Sequence, residues 1–114
     1  MDAKEAGWFF RAFGDGTRLR IVGALSKRGM RVSELARLLR RPVPSVSRHL
    51  RYLHARGLVD WRKLSSGVVY SLAPPAHTLH KRVLSAFQAC LHTIDDVRND
   101  VARVGKRPAG RREA

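Results

Sequence analysis

Along the chain, apolar residues fall first into short stretches with the period of an α-helix, then into two runs rich in β-branched and aromatic residues, then into one long helical run. The spacing predicts a first helix over Ala3 to Phe13, with Phe9, Ala12 and Phe13 on one face and Trp8 and Phe10 beside them. Gly14, Asp15 and Gly16 interrupt it, and Asp15 or Thr17 is positioned to cap a second helix carrying Leu19, Val22 and Leu25 on one side. Ser33 precedes Glu34, Leu35, Leu38 and Leu39, so a serine cap and an early carboxylate are expected to open a short third helix. A tight connection over Arg40 to Val43 leads into a fourth helix that ends at Gly57.

The fourth helix, within PVPSVSRHLRYLHARG, has two different faces. Val46, Leu50 and Leu53 recur at i, i+4 and i+7, the spacing of a buried row. At roughly 100° per residue, Arg48, Arg51 and Ala55 fall near 200°, 140° and 180° from Val46, opposite that row. Ser45 and Ser47 lie in the first turn, where hydroxyls and backbone N–H groups can meet a phosphate while arginine reaches towards guanine. This is the pattern of a recognition helix in a helix-turn-helix. A solvated basic face on an ordinary amphipathic helix gives the same local pattern, and the surroundings decide between the two.

After Gly57, LVDWRKL and VVYSL, joined by Ser65, Ser66 and Gly67, predict a two-stranded hairpin. Arg62 and Lys63 lie near its tip and are candidates for contacts with a nucleic-acid backbone. Pro74 and Pro75 end the second strand. From His77 onwards, Val83, Phe87, Cys90, Ile94, Val97, Val101 and Val104 alternate steps of four and three, three heptads of apolar seam on one long helix. A small domain has little to bury such a seam against, so a second copy is expected to cover it. The predicted homodimer contact takes Phe87, Ile94 and Val97 from the last helix with Phe9 and Phe13 from the first. The fold class is thus mainly α with a small β-hairpin, in the order α-α-α-α-β-β-α, dimeric through first and last helices. Residues 1–104 form the domain, and 105–114, basic and without apolar spacing, are expected to be a disordered tail.

Composition narrows the partner. The 23 Lys and Arg against 9 Asp and Glu give a net charge of +14 spread along the chain, which points to a polyanion. No apolar run approaches the roughly 18 residues of a membrane span, and the N-terminus lacks the order of an export signal, so the expected location is the cytoplasm. A single cysteine, Cys90, excludes an intrachain disulfide and a thiolate-rich metal site within one chain, leaving a buried thiol as the default reading. His49 and His54 have no nucleophile paired to them by motif, the carboxylates form no acid-base motif, and there is no Gly-rich phosphate loop. No catalysis is expected.

Four blocks in this order, FGDGTRLRIVGAL, VSELARLL, VSRHLRYLHARGLV and SSGVVYSLAP, resemble the ArsR/SmtB family of winged-helix transcriptional repressors over roughly residues 5 to 104. The resemblance implies a dimer that binds a partly palindromic double-stranded DNA operator and leaves it when a metal ion or another signal arrives. Pro42 and Val43 stand where many members have Ser-Gln, which removes a side-chain cap and a polar reader of bases. Val32 to Ala36 contains no cysteine where arsenic and cadmium sensors carry a CxC-type motif, so that thiolate site is absent.

A zinc-type site is the remaining candidate. His77 and Asp95 are each nine residues from Ala86, and His80 and His92 each six. On an antiparallel pair of identical helices, each end would gather two histidines from one subunit and a histidine and an aspartate from the other, a tetrahedral set for Zn²⁺ as regulatory ligand. This resembles the terminal-helix site of the family's zinc sensors; four solvated polar residues are the alternative. At the level of function, a sequence-specific repressor competes with a basic RNA-binding or nucleoid-coating winged helix that has no operator. The former should prefer its operator over bulk DNA by about a thousandfold or more.

Overall fold

A computed structural model describes residues 1–104; the tail expected at 105–114 lies outside the described residues. The elements follow in the order α1 (Ala3–Phe13), α2 (Gly16–Leu25), α3 (Val32–Leu39), α4 (Val43–Ala55), β1 (Val59–Leu64), β2 (Gly67–Leu72), α5 (Thr78–Ala89) and α6 (Asp95–Val104). Caps set most of these boundaries. Asp2 accepts from the Glu5 N–H at 2.8 Å while Glu5 returns a bond to the Asp2 N–H at 2.9 Å, a reciprocal start to α1. Asp15 accepts from the Arg18 N–H at 3.0 Å and opens α2. Ser33, expected as the cap of α3, instead lies inside its first turn; Glu34 reaches back to the Arg31 N–H at 2.9 Å and does that work.

Two left-handed residues frame the recognition helix. Arg40, at φ 56°, reverses the chain after α3, and Gly57, at φ 76°, ends α4. At Gly57 the Leu58 N–H bonds to Leu53 O at 2.9 Å and the Gly57 N–H to His54 O at 3.0 Å, the double closure of a Schellman end, with Leu53 and Leu58 both buried beside it. The core is centred on Ile21, Leu35, Leu39, Val46, Leu50, Leu53 and Val59: α2, α3 and α4 each bury a face, and β1 adds its first residue alone.

The hairpin is antiparallel, with Trp61 opposite Tyr70 and Arg62 opposite Val69. It is not held by its two strands alone. Met30, between α2 and α3, exchanges both backbone bonds with Tyr70, at 2.9 and 2.8 Å, along the outer edge of β2. Arg31 donates from its guanidinium to the Ser66 carbonyl at 3.2 Å and to the Ser66 hydroxyl, tying the turn of the hairpin to the start of α3.

The long terminal helix of the sequence reading is two helices. α5 ends at Ala89, a single 3-10 turn covers Leu91–Thr93, Ile94 is extended, and α6 begins at Asp95. The Thr93 hydroxyl donates to the Cys90 carbonyl at 2.7 Å, and Asp95 and Asp96 supply the acidic first turn that favours a new N-terminus. The break turns α6 back onto α2. Gly23 is what lets it approach: a β-carbon there would sit 2.6 Å from Val97 Cγ1. Asp100 of α6 is fully buried, and Arg20 of α2 grips it with Nε at 2.8 Å and Nη2 at 3.0 Å. Arg103 adds a third bond at 2.7 Å. Arg20 and Arg103 also donate to the Leu39 and Leu38 carbonyls, so one carboxylate joins α6, α2 and the last turn of α3. The bond from Arg20 to Asp100 is the main reason its guanidinium is held even more firmly protonated than usual.

Candidate nucleic-acid interface

The inner row of α4 is buried to completion: Val46, Leu50 and Leu53 are each 0% exposed. Burial of that row fixes the rotation of the helix, and Arg48 and Arg51 therefore stand in solvent on the other side. Ser45 and Ser47 are half-buried, and Arg51 Nη1 donates to Ser47 Oγ at 3.3 Å, so guanidinium and hydroxyl present one polar surface. The start of α4 differs from the expected N–H cluster. Pro44 has no N–H, and Ser45 and Val46 both donate to the Pro42 carbonyl at 3.0 and 3.1 Å. Charge and hydroxyls, rather than backbone amides, dominate that end.

Several cations outside the expected set lie around it. Arg37 in the last turn of α3 and Arg40 and Arg41 in the turn after it are exposed, and the run RLLRRP was their signal in the sequence. Arg62 and Lys63 are exposed on β1, and Trp61 and His54 line an open concavity between the hairpin and the end of α4. The orientation of α4 is braced from behind. Arg18 caps the end of α1 through Ala12 O and Arg11 O, both at 2.9 Å, and stacks 4.2 Å from the Tyr52 ring.

Of the zinc set, His77 and His80 lie side by side, ring centroids 5.7 Å apart, while His92 and Asp95 lie at the break beyond α5. Among the described residues, no group of three or more His, Cys, Asp or Glu side chains could hold a metal ion. His77 caps α5 by accepting the His80 N–H through Nδ1 at 3.1 Å, and His80 Nδ1 accepts the Ala76 N–H at 3.3 Å. His80 is buried against Phe9, ring centroids 5.3 Å apart, and burial, reinforced by neighbouring His77, lowers its pKa. His92 lies in the 3-10 turn, and Asp95 is exposed and paired with Arg98 at 3.1 Å. The symmetric arrangement required a continuous helix from His77 to Asp95, and the break at Cys90 to Ile94 removes it. These residues therefore do not fit Zn²⁺ in the arrangement expected of them.

The dimer set divides. Phe9 and Val97 are buried in the chain's own core, at 4% and 0% exposure, so neither is free for a second copy. Phe13, Phe87 and Ile94 are partly exposed, with the Phe13 and Phe87 rings 6.1 Å apart between α1 and α5. Phe10, 51% exposed, is an apolar residue on α1 that the expected contact omitted. Cys90 is exposed rather than buried, because it sits at the break instead of in a seam.

A helix-turn-helix whose second helix shows arginines to solvent, followed by a hairpin beside it, defines a winged-helix protein. Residues 15–60, from the cap of α2 into β1, match the family of bacterial regulatory proteins described as the arsR family. The chain is 37% identical over 71 residues to a transcriptional repressor SmtB homolog of Synechocystis, a match covering 62% of this chain and 54% of that protein. It is 41% identical over 61 residues to the HTH-type transcriptional regulator MJ1325 of Methanocaldococcus jannaschii, covering 53% of this chain and 68% of that one. Reduced HlyU from Vibrio cholerae has the same fold, with a TM-score of 0.65, 28% identity, and coverage of 80% of this chain and 88% of that one. The chain belongs to the arsR family of regulatory proteins. Its match spans about half the length of the Synechocystis relative. Among the described residues no helix is long and apolar enough to cross a membrane.

Proposed function

We propose that this protein is a sequence-specific DNA-binding transcriptional regulator, a repressor that acts as a homodimer on a double-stranded operator and is released by a signal. The observation that carries the reading is the division of α4, with Val46, Leu50 and Leu53 fully buried and Arg48 and Arg51 exposed opposite them. Arg48 reads a base edge; Ser45, Ser47 and Arg51 meet the backbone beside it; Arg62 and Lys63 position the hairpin on phosphates. Phe10, Phe13 and Phe87 support a subunit contact through α1 and α5. The metal set expected from the terminal helix is not part of this proposal.

Selection of bound sequences from random duplex DNA tests the reading, with the specificity ratio as its measure. Arg48→Ala should cost about 1–3 kcal/mol on the selected operator and flatten sequence preference, whereas neutralising Arg62 and Lys63 together should lower the salt slope of log K by about two without changing it. A protein that binds selected and scrambled duplexes alike is a coating protein and sinks the proposal.

A further inference from the structure

At the C-terminal end of α4, an open cavity of about 320 Å³ lies between α1, that helix end and the segment leading into α5. Trp8 and Phe9 form its aromatic wall, Arg56 and His77 its polar one, and Glu5 stands at the same opening. Arg56 is the unusual member. Its half-buried guanidinium lies 4.6 Å from the Tyr52 ring centroid and 5.8 Å from that of Trp8. Its Nε is buried with no hydrogen-bond partner, and no carboxylate is paired with it among the described residues. A half-buried cation that lies against two rings and has no ion pair among the described residues is a subsite for an anion. His77 adds a donor: its Nδ1 accepts the His80 N–H, which places the proton of the neutral ring on Nε2.

We propose that this cavity binds a small planar aromatic monocarboxylate. The carboxylate pairs with Arg56, where two oxygens match the guanidinium fork, and the ring lies against Trp8. The volume stands at the lower end of ligand sites, which run from about 300 to 1,000 Å³, and suits one or two fused rings. Glu5 at the opening disfavours a dianion. Ala55 and Arg56 end the recognition helix, so the ligand neutralises a cation on the element that meets DNA and lowers operator affinity; this last step rests on the function proposed above.

Calorimetry on the full chain with 2-naphthoate tests the site without DNA, so its failure is separate from failure of the operator reading. One saturable site per chain is expected, with the neutral 2-naphthamide and the Arg56→Gln protein each weaker by about tenfold or more. Trp8→Ala, at a position 40% exposed and outside the core, should also weaken binding several-fold and provides a second readout if Arg56→Gln fails to fold. Equal affinity for acid and amide, or unchanged binding in a folded Arg56→Gln or Trp8→Ala protein, overturns the site. Displacement of naphthoate by equimolar inorganic phosphate also overturns it, by marking Arg56 as a phosphate contact. With binding established, naphthoate should weaken operator binding in the parent and not in Arg56→Gln; an operator affinity that ignores saturating naphthoate overturns the regulatory step.

Discussion

α4 and the stretch from Thr78 to Val104 both carry apolar residues at helical spacing, yet the first is one helix of 13 residues and the second is two helices joined by a turn. What differs is the number of surfaces each must bury. The row on α4 meets a single core, and its ends are marked by Pro42 and Gly57. The terminal stretch must satisfy two: Phe87 packs against Phe13 of α1, whereas Val97 and Asp100 are held by Gly23 and Arg20 of α2. No straight helix reaches both. Periodicity therefore specifies a face, while tertiary partners decide whether that face stays continuous.

The comparison can be broken most forcefully at Asp100. Asp100→Ala would leave Arg20 and Arg103 around an empty buried position and should cost about 3–5 kcal/mol in chemical denaturation. Arg51→Ala on the outer face of α4 should stay within about 0.5 kcal/mol of the parent in the same assay. A similar loss at both positions would show that α6 is no more firmly docked than a solvated surface. A smaller effect is expected at Gly23→Val, where the added side chain meets Val97 and pushes α6 away from α2; about 1–3 kcal/mol should be lost. Amide exchange should locate that loss in α6, with α4 retaining its protection relative to the core.

The smallest effect concerns α5. His80 titrates below the ordinary histidine range because it is buried, with His77 adding to the effect. As pH falls through about 6.5, the unfolded chain takes up a proton that folded His80 resists. The stability present above that pH is therefore lost as the pH falls towards the lower folded value. His80→Gln should flatten this part of the profile of Tm against pH, and an unchanged profile would free His80 from the assignment.

Much of the helix-turn-helix was legible because its signals are local: Asp15 caps, Gly57 terminates, and the row Val46, Leu50, Leu53 needs only one period to be read. The exposure of Arg48 and Arg51 followed from that row. The hairpin was legible in its β-branched runs, but its attachment through Met30 and Arg31 was not, because both partners are distant in sequence. The break at Leu91–Thr93 was hidden by a heptad that runs straight through it, although Thr93, Asp95 and Asp96 are the residues of a helix start. The burial of Val97 depended on the missing side chain of Gly23 in another helix. Equal spacing about Ala86, on which the zinc set rested, has meaning only along an unbroken axis, and the turn at Leu91–Thr93 interrupts it.

The bridge between Met30 and Tyr70 also bears on how copies of this chain behave at high concentration. An open strand edge is a template for another strand, and a two-stranded sheet has two such edges. Met30 occupies the one on β2. The other belongs to β1, where Asp60, Arg62 and Lys63 are exposed in succession around Trp61. Charges on that edge make a matching strand from a second copy an unfavourable neighbour. The basic residues assigned to phosphate contacts thus also oppose sheet-to-sheet aggregation, and variants that neutralise them should be handled as more prone to self-association.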